Sequence, residues 1–284
     1  MIHKRNYIYT VFKSLFNNKV AFISFIIIVI FFLIGIFAPY LAPNDPQKVV
    51  LSQKLNGPSK EFLLGTDHLG RCILSRIIYG TRISLFSVCF IIFMILLISV
   101  PIAMISGYFG GKIDNFIMRV VDVFLAFPSV LLCIVIAGFW GQSLINIIIV
   151  LSSVWWAKYA RVIRGMVLSI KQKDFIMAAK SCGTSSIKII LRHILPNIVP
   201  TIIILATIDM GNIILSISGL SFLGLGAQPP IPEWGTMLSE GKNYIQIAPR
   251  IMICPGLTIM VVIMAFNLLG DALRDIMDPK YIKR

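Results

Sequence analysis

Residues 174–200 read DFIMAAKSCGTSSIKIILRHILPNIVP, a basic and helix-forming segment set between long apolar runs. Around it the chain is built for lipid. Over 284 residues, 57% are hydrophobic and 13% charged, with a mean hydropathy of +0.89, whereas soluble domains are about 45–50% apolar and about 25% charged. Apolar runs near the ~20 residues that a helix needs to cross a bilayer begin at about Val20, Ile83, Val120, Leu144, Ile198 and Ile251. The reading is an all-α integral membrane protein with about six spans, whose one ordered water-facing loop is a handle for a soluble partner.

Charge sets the orientation. With the amino terminus inside, residues 1–19, 107–119, 157–197 and 271–284 are cytoplasmic and hold 18 of the 26 Lys and Arg residues, as the positive-inside bias requires. Both termini are then cytoplasmic. The net charge of +14 is chiefly this topology signal, with attraction to anionic headgroups second. Dispersed among spans, the charges make no basic groove for nucleic acid. The first run, Val20 to Ala38, exceeds a signal peptide's ~7–15-residue apolar core, so it is read as a retained span. Trp140, Trp155 and Trp156 are placed near span ends, as interfacial aromatics are.

The chain divides into residues 1–82, comprising a cytoplasmic tail, the first span and an external loop, and residues 83–284, which hold the remaining spans and a cytoplasmic loop at 165–197. After the first span, APYLAPNDP (Ala38 to Pro46) breaks the helix with three prolines. A second long external loop, Gly219 to Arg250, contains AQPPIPEWG.

Within the basic loop, Asp174 to Lys180 reads as helix, Gly183 as its end or kink, and Ile187 to Leu195 as amphipathic helix stopped by Pro196. Phe175, Ile176 and Ala179 form one apolar face. That face suits insertion into a groove on a partner; lying on the membrane surface is the alternative.

Little points to chemistry within the chain. GTDHLGRC at Gly65 to Cys72 is a near-miss for a phosphate-binding loop, with Arg71 for the required Lys and Cys72 for Ser or Thr. No HExxH, paired-carboxylate or Ser/His/Asp pattern occurs, so the chain is read as a non-enzyme that binds no cofactor. The five cysteines, Cys72, Cys89, Cys133, Cys182 and Cys254, contain no CxxC pair. His68 and Cys72, at i and i+4 beside Asp67, would converge if their loop were helical, which makes them weak metal candidates; His3 and His193 fall on the other side. Asp209 lies deep in the fifth span, where a charge costs at least ~2.5–3.5 kcal/mol. With Asn212 and Ser216 at i+3 and i+7 it forms a polar stripe, either lining a path for cationic cargo or hydrogen-bonding between helices. Asp122, just past Arg119, is read as interfacial.

Several stretches together resemble the membrane subunits of ABC importers, in their peptide/nickel branch. AAxxxG followed by nine residues and HILP resembles that family's coupling-helix signature, and GTDHLGRCILSRIIYGTRISL (Gly65 to Leu85), GLSFLGLGAQPPIPEWGTML (Gly219 to Leu238) and NLLGDALRDIMDP (Asn267 to Pro279) resemble its other motifs. Met177 stands where the signature usually has Glu, and Cys72 where the outer motif usually ends in Asp. The resemblance implies type I importer architecture and a C-type permease in a prokaryotic plasma membrane, paired with a second homologous permease. It further implies two cytosolic ATPases, carrying ATP and Mg, and an external binding protein that delivers nickel, metal chelates or short peptides. Asp174, Met177, Ala178, Ala179, Gly183, His193 and Pro196 would then form the ATPase-coupling site, and Gln228 to Trp234 would face the pathway or the delivering protein. The rivals from other classes are an ion-coupled secondary transporter or channel, with Asp209 as its ion site, and a membrane scaffold whose basic loop docks a signalling partner.

Overall fold

Asn18 opens the first helix by accepting hydrogen bonds from the Val20 and Ala21 amides at 3.0 and 3.2 Å, satisfying donors that would otherwise lack partners. This helix, α1 (Lys19–Ile36), and those below come from a computed structural model that describes residues 16 and 18–277. The basic tail with His3, and residues 278–284, lie outside the described residues. Only Ala21, Ser24, Ile28 and Gly35 of α1 are buried; Ile23, Ile30 and Leu33 are about half exposed. A narrow buried stripe of mostly small residues and an apolar outer surface are what lipid selects, because close backbone approach rather than water exclusion holds such helices together. Gly35 shows it: a Cβ there would lie 3.3 Å from the Arg82 Cα.

The remaining helices are α2 (Ile73–Phe109), α3 (Gly111–Leu125), α4 (Ser129–Trp140), α5 (Leu144–Lys171), α6 (Asp174–Ser181), α7 (Ser186–Phe222), α8 (Trp234–Gly241) and α9 (Arg250–Met277). Among the described residues there is no strand, only one antiparallel bridge between Thr66 and Cys72. By length and composition α1, α2, α7 and α9 suffice to cross a membrane, and α3 with α4 makes a fifth if counted as one span bent by 82°. Pro128 at the bend forces the preceding residue out of helical geometry. The apolar run expected from Val120 is this broken pair. The run from Leu144 became α5, whose 28 residues are long enough, but Lys158, Arg161 and Arg164 in its second half leave it less apolar than the others.

Two further boundaries moved. The second span starts at Ile73 rather than near Ile83, and Trp155 and Trp156 sit inside α5 rather than at a span end. Trp156 packs edge-on against Phe124 at 5.5 Å, beside the buried cluster of Val121, Ala157 and Ala160.

The chain forms two compact units. One comprises residues through Cys89, Ala137–Ile148 and residues from Thr207; the other comprises Phe90–Ile136 and Ile149–Ala206. In the first, α9 packs on α1 and α8, burying Ile251, Pro255, Ile259, Val262, Phe266 and Leu269 along one stripe. In the second, Arg161 pairs with Asp122, both side chains about half exposed. An ion pair at such exposure is worth about 0–1 kcal/mol.

Candidate functional site

The basic loop folds as α6 and a turn that leads straight into a span. α6 ends in a Schellman motif: the Gly183 amide donates to Lys180 O at 2.9 Å and the Thr184 amide to Ala179 O at 3.1 Å, with Gly183 at φ +74°. Only a residue without a Cβ adopts that conformation cheaply. Ile176 is fully buried, while Phe175 and Met177 are 43% and 53% exposed. Asp174 and Ala178 are exposed, and Ala179 is half-buried. The expected apolar face therefore divides: Ile176 is turned inward, and Phe175, Met177 and Ala178 are exposed.

Pro196 does not stop the helix. A π turn at Ile190–Ile194 precedes it, and α7 continues to Phe222. The Leu195 amide reaches back to Ile190 O, an i→i−5 bond whose wider turn makes room for a ring that has no N–H to donate. His193 is half-buried within this turn, and its carbonyl accepts from Asn197 Nδ2 at 2.5 Å. Instead of two short helices making a knob, one short helix is fixed through a left-handed glycine to a long one.

In the first unit, Asp209 is 1% exposed and its Oδ1 accepts from Asn212 Nδ2 at 3.0 Å. Asn212 is exposed and Ser216 half-buried, with Ser216 Oγ donating to Asn212 O at 2.8 Å. The polar stripe exists, and it runs from the interior of its unit outward.

The two long loops hold two constructions that no local pattern announces. In GTDHLGRC, Gly65 and Gly70 both have positive φ, and a Cβ on Gly70 would lie 1.9 Å from Val50 O. Asp67 Oδ1 accepts from the Leu69 and Arg71 amides at 2.8 and 2.9 Å. Its Oδ2 takes Arg71 Nε at 2.6 Å and Arg76 Nη1 at 2.5 Å. Glu240 closes the set, 3.0 Å from Arg71 and 2.7 Å from Arg76. This is a charge-balanced buried network. The loop is a turn, so His68 and Cys72 do not share a helical face. Among the described residues, one trio of side chains has its donor atoms close enough together to hold a metal, Asp67, His68 and Glu240, and both of its carboxylates are already committed to arginines.

Burial opposes charge on Asp67, but Arg76, Arg71 and the two amides outweigh it and hold its carboxyl below the ordinary value. A depressed folded pKa contributes stability that is complete above the unfolded value and lost as pH falls through the folded one. The stability advantage of wild type over Asp67→Asn is therefore expected to shrink on acidification through and below the ordinary Asp range, by about 1.4 kcal/mol per unit of depression. Thermal unfolding in detergent from neutral to acid pH measures it; an advantage that holds constant in acid refutes the assignment. His68, whose burial lowers its pKa, stacks on Tyr244 at 5.3 Å.

The second construction explains AQPPIPEWG. Glu233 and Trp234 are both fully buried, whereas Gln228 to Ile231 are exposed, so the segment divides into an outward half and an anchored one. The Glu233 carboxylate caps α8, accepting from the Gly235 and Thr236 amides at 3.0 and 2.9 Å and from Ser84 Oγ at 3.3 Å. Trp234 Nε1 donates to Ile77 O at 3.3 Å, its ring meets Phe31 edge-on, and Gly80 leaves it room. A carboxylate three residues before Thr236 and next to Trp-Gly was the available signal for a cap.

The fold aligns with a chain of the MetNI methionine ABC transporter in inward-facing conformation, with a TM-score of 0.59 at 18% identity over 72% of this chain and 98% of that one. The two chains thus share one helical fold. The chain belongs to the binding-protein-dependent transport system inner membrane components, matching that family over residues 99–283, and residues 6–58 match the N-terminal TM domain of oligopeptide transport permease C. It is 45% identical to the dipeptide transport system permease protein DppC of Alkalihalophilus pseudofirmus, over 95% of this chain and 88% of the relative. It is 39% identical to the nickel transport system permease protein NikC of Escherichia coli K12, over 92% and 94%. Identity to the glutathione transport system permease protein GsiD of Pectobacterium atrosepticum is 40%, over 94% and 89%. The protein is a multi-pass inner-membrane permease of a binding-protein-dependent ABC importer, in the dipeptide/oligopeptide/nickel family.

Proposed function

We propose that α6 is the helix on which a cytosolic ATPase docks, and that this chain and a second homologous permease together form a path for short peptides or nickel complexes. An external binding protein delivers the substrate, and hydrolysis of Mg-ATP on two partner ATPases drives the cycle. Both termini, and the 165–197 loop, are cytoplasmic in this reading. The observation that carries it is the outward presentation of Phe175, Met177 and Ala178 on a helix whose end Gly183 fixes. Apolar side chains on a short helix suit a groove in a partner, and Asp174 at its start adds favourable charge at the helix amino terminus. With Met177 in place of the family's usual Glu, packing supplies most of the attachment.

Phe175→Glu is expected to lower ATPase co-purification and ATP-driven uptake at least about tenfold, since a charge at the centre of an apolar contact costs more than ~1.4 kcal/mol. Proteoliposomes holding the whole complex, with binding protein and either nickel or a dipeptide mixture, measure it. Uptake that persists without any ATPase and follows an ion gradient overturns the reading. In the same assay Asp209→Asn is expected to lower nickel uptake more than dipeptide uptake, because a buried carboxylate along the path favours cations. Equal effects on both cargoes leave Asp209 a purely structural group.

A further inference from the structure

Four helices converge where α2 ends. Asp114, on the first turn of α3 and 7% exposed, receives Arg164 Nε at 2.5 Å together with Arg164 Nη2, and Ser106 Oγ donates to the same carboxylate. Beside Ser106, a Cβ on Gly107 would lie 2.8 Å from Val167 Cβ and 3.2 Å from Arg164 O, so α2 and α5 touch backbone to side chain with no space to slide. The next residue, Tyr108, is 7% exposed. Two ammonium groups approach its ring: Lys171 Nζ, from the end of α5, lies 5.6 Å from the centroid, and Lys180 Nζ, from the last turn of α6, lies 5.4 Å.

We infer that Tyr108 is a positioning residue that clasps α6 to the fixed corner of α2, α3 and α5, so that displacement of α6 is passed to the spans. The inference rests on α6 being the docking helix proposed above. Both ammonium groups are drawn to one ring because an aromatic face attracts cations. The corner itself does not yield, since a bidentate Arg–carboxylate pair fixes orientation as well as distance and Gly107 has closed the gap to α5. Lys180 is thus the movable end of a contact whose other end is rigid.

The test compares Tyr108→Leu and Tyr108→Phe in the reconstituted complex, reading substrate taken up per ATP hydrolysed in the presence of binding protein. Tyr108→Phe keeps the aromatic face and is expected to match wild type. Tyr108→Leu keeps bulk without the face and is expected to lower the ratio by about fivefold or more while stimulated ATPase activity persists. An unchanged ratio in Tyr108→Leu, or an equal fall in Tyr108→Phe, overturns the inference. If Tyr108→Leu does not assemble, Lys180→Met, which leaves the buried ring in place, is expected to show the same fall, and an unchanged ratio there overturns it. Phe175→Glu separates the two claims: full ATPase binding and uptake in that variant refute docking by α6, whereas loss in Phe175→Glu with unchanged coupling in both Tyr108→Leu and Lys180→Met refutes the clasp alone.

Discussion

Trp234→Ala is expected to leave little protein in the membrane, with the remainder unfolding at markedly lower temperature. The indole is fully buried, and removing a buried Trp or Phe side chain costs about 3–5 kcal/mol, because the lost transfer free energy is joined by the cavity left behind. Here the cavity would open among Phe31 of α1, Ile77 and Gly80 of α2, and the first turn of α8. That loss is a large share of the ~5–15 kcal/mol by which domains are usually stable. Gly235→Ala is expected to act in the same direction, since its Cβ would lie 2.5 Å from Ser218 O, and backbone at that distance cannot swing aside. Quantitative detection in membranes, with thermal unfolding of the solubilised fraction, decides the matter. Wild-type levels and an unchanged midpoint in Trp234→Ala would remove the Trp234 segment from any structural role.

Gly183→Pro is expected to abolish ATP-driven uptake while the protein still accumulates. Proline fixes φ near −65°, whereas the position requires +74°, and the amide that donates to Lys180 O would no longer exist. α6 would leave its turn in another direction, and Phe175 and Met177 would no longer face the partner. Nothing lies within 4 Å of the Cβ that alanine would add at this position, so Gly183→Ala meets only the left-handed strain of about 1–2 kcal/mol. A graded series is the expected result, with alanine partly active and proline at least about tenfold below wild type in coupled uptake. Equal uptake by the two variants would mean that the direction of α6 does not matter.

Much of this fold was legible from residues alone because lipid imposes a coarse rule. A backbone in hydrocarbon must satisfy its own hydrogen bonds, so long apolar runs are helices. Hydropathy reports these runs without reporting their joints. The broken pair α3 and α4, the start of α2 at Ile73 inside an apparently polar loop, and the passage of α7 through Pro196 all escaped it. Each depends on where a proline or a charge finds its partner.

The sites divide in the same way. Gly183 was readable as a helix end because a left-handed C-cap selects a residue type by itself, and Asp209 stood out because a charge inside an apolar run is costly wherever it points. The division of Phe175 from Ile176 needed the packing around α6, since adjacent residues on a short helix carry no sign of which one faces home. Arg71, Arg76 and Glu240 were charges without an evident relation until the fold brought residues 67–76 against α8.

Residue order alone says that this protein crosses a membrane as helices, which of its loops is basic and helix-forming, and which family its motifs resemble. Those properties are additive over neighbouring residues, so a local reading reaches them. It took the packed structure to show that Glu233 and Trp234 make a buried anchor at the end of AQPPIPEWG, that GTDHLGRC is a turn closed by arginines, and that Tyr108 takes a lysine from each of two helices. These rest on contacts between residues far apart in the chain, Glu233 with Ser84 and Glu240 with Arg71 among them, and no local pattern encodes which distant partner a buried charge will meet.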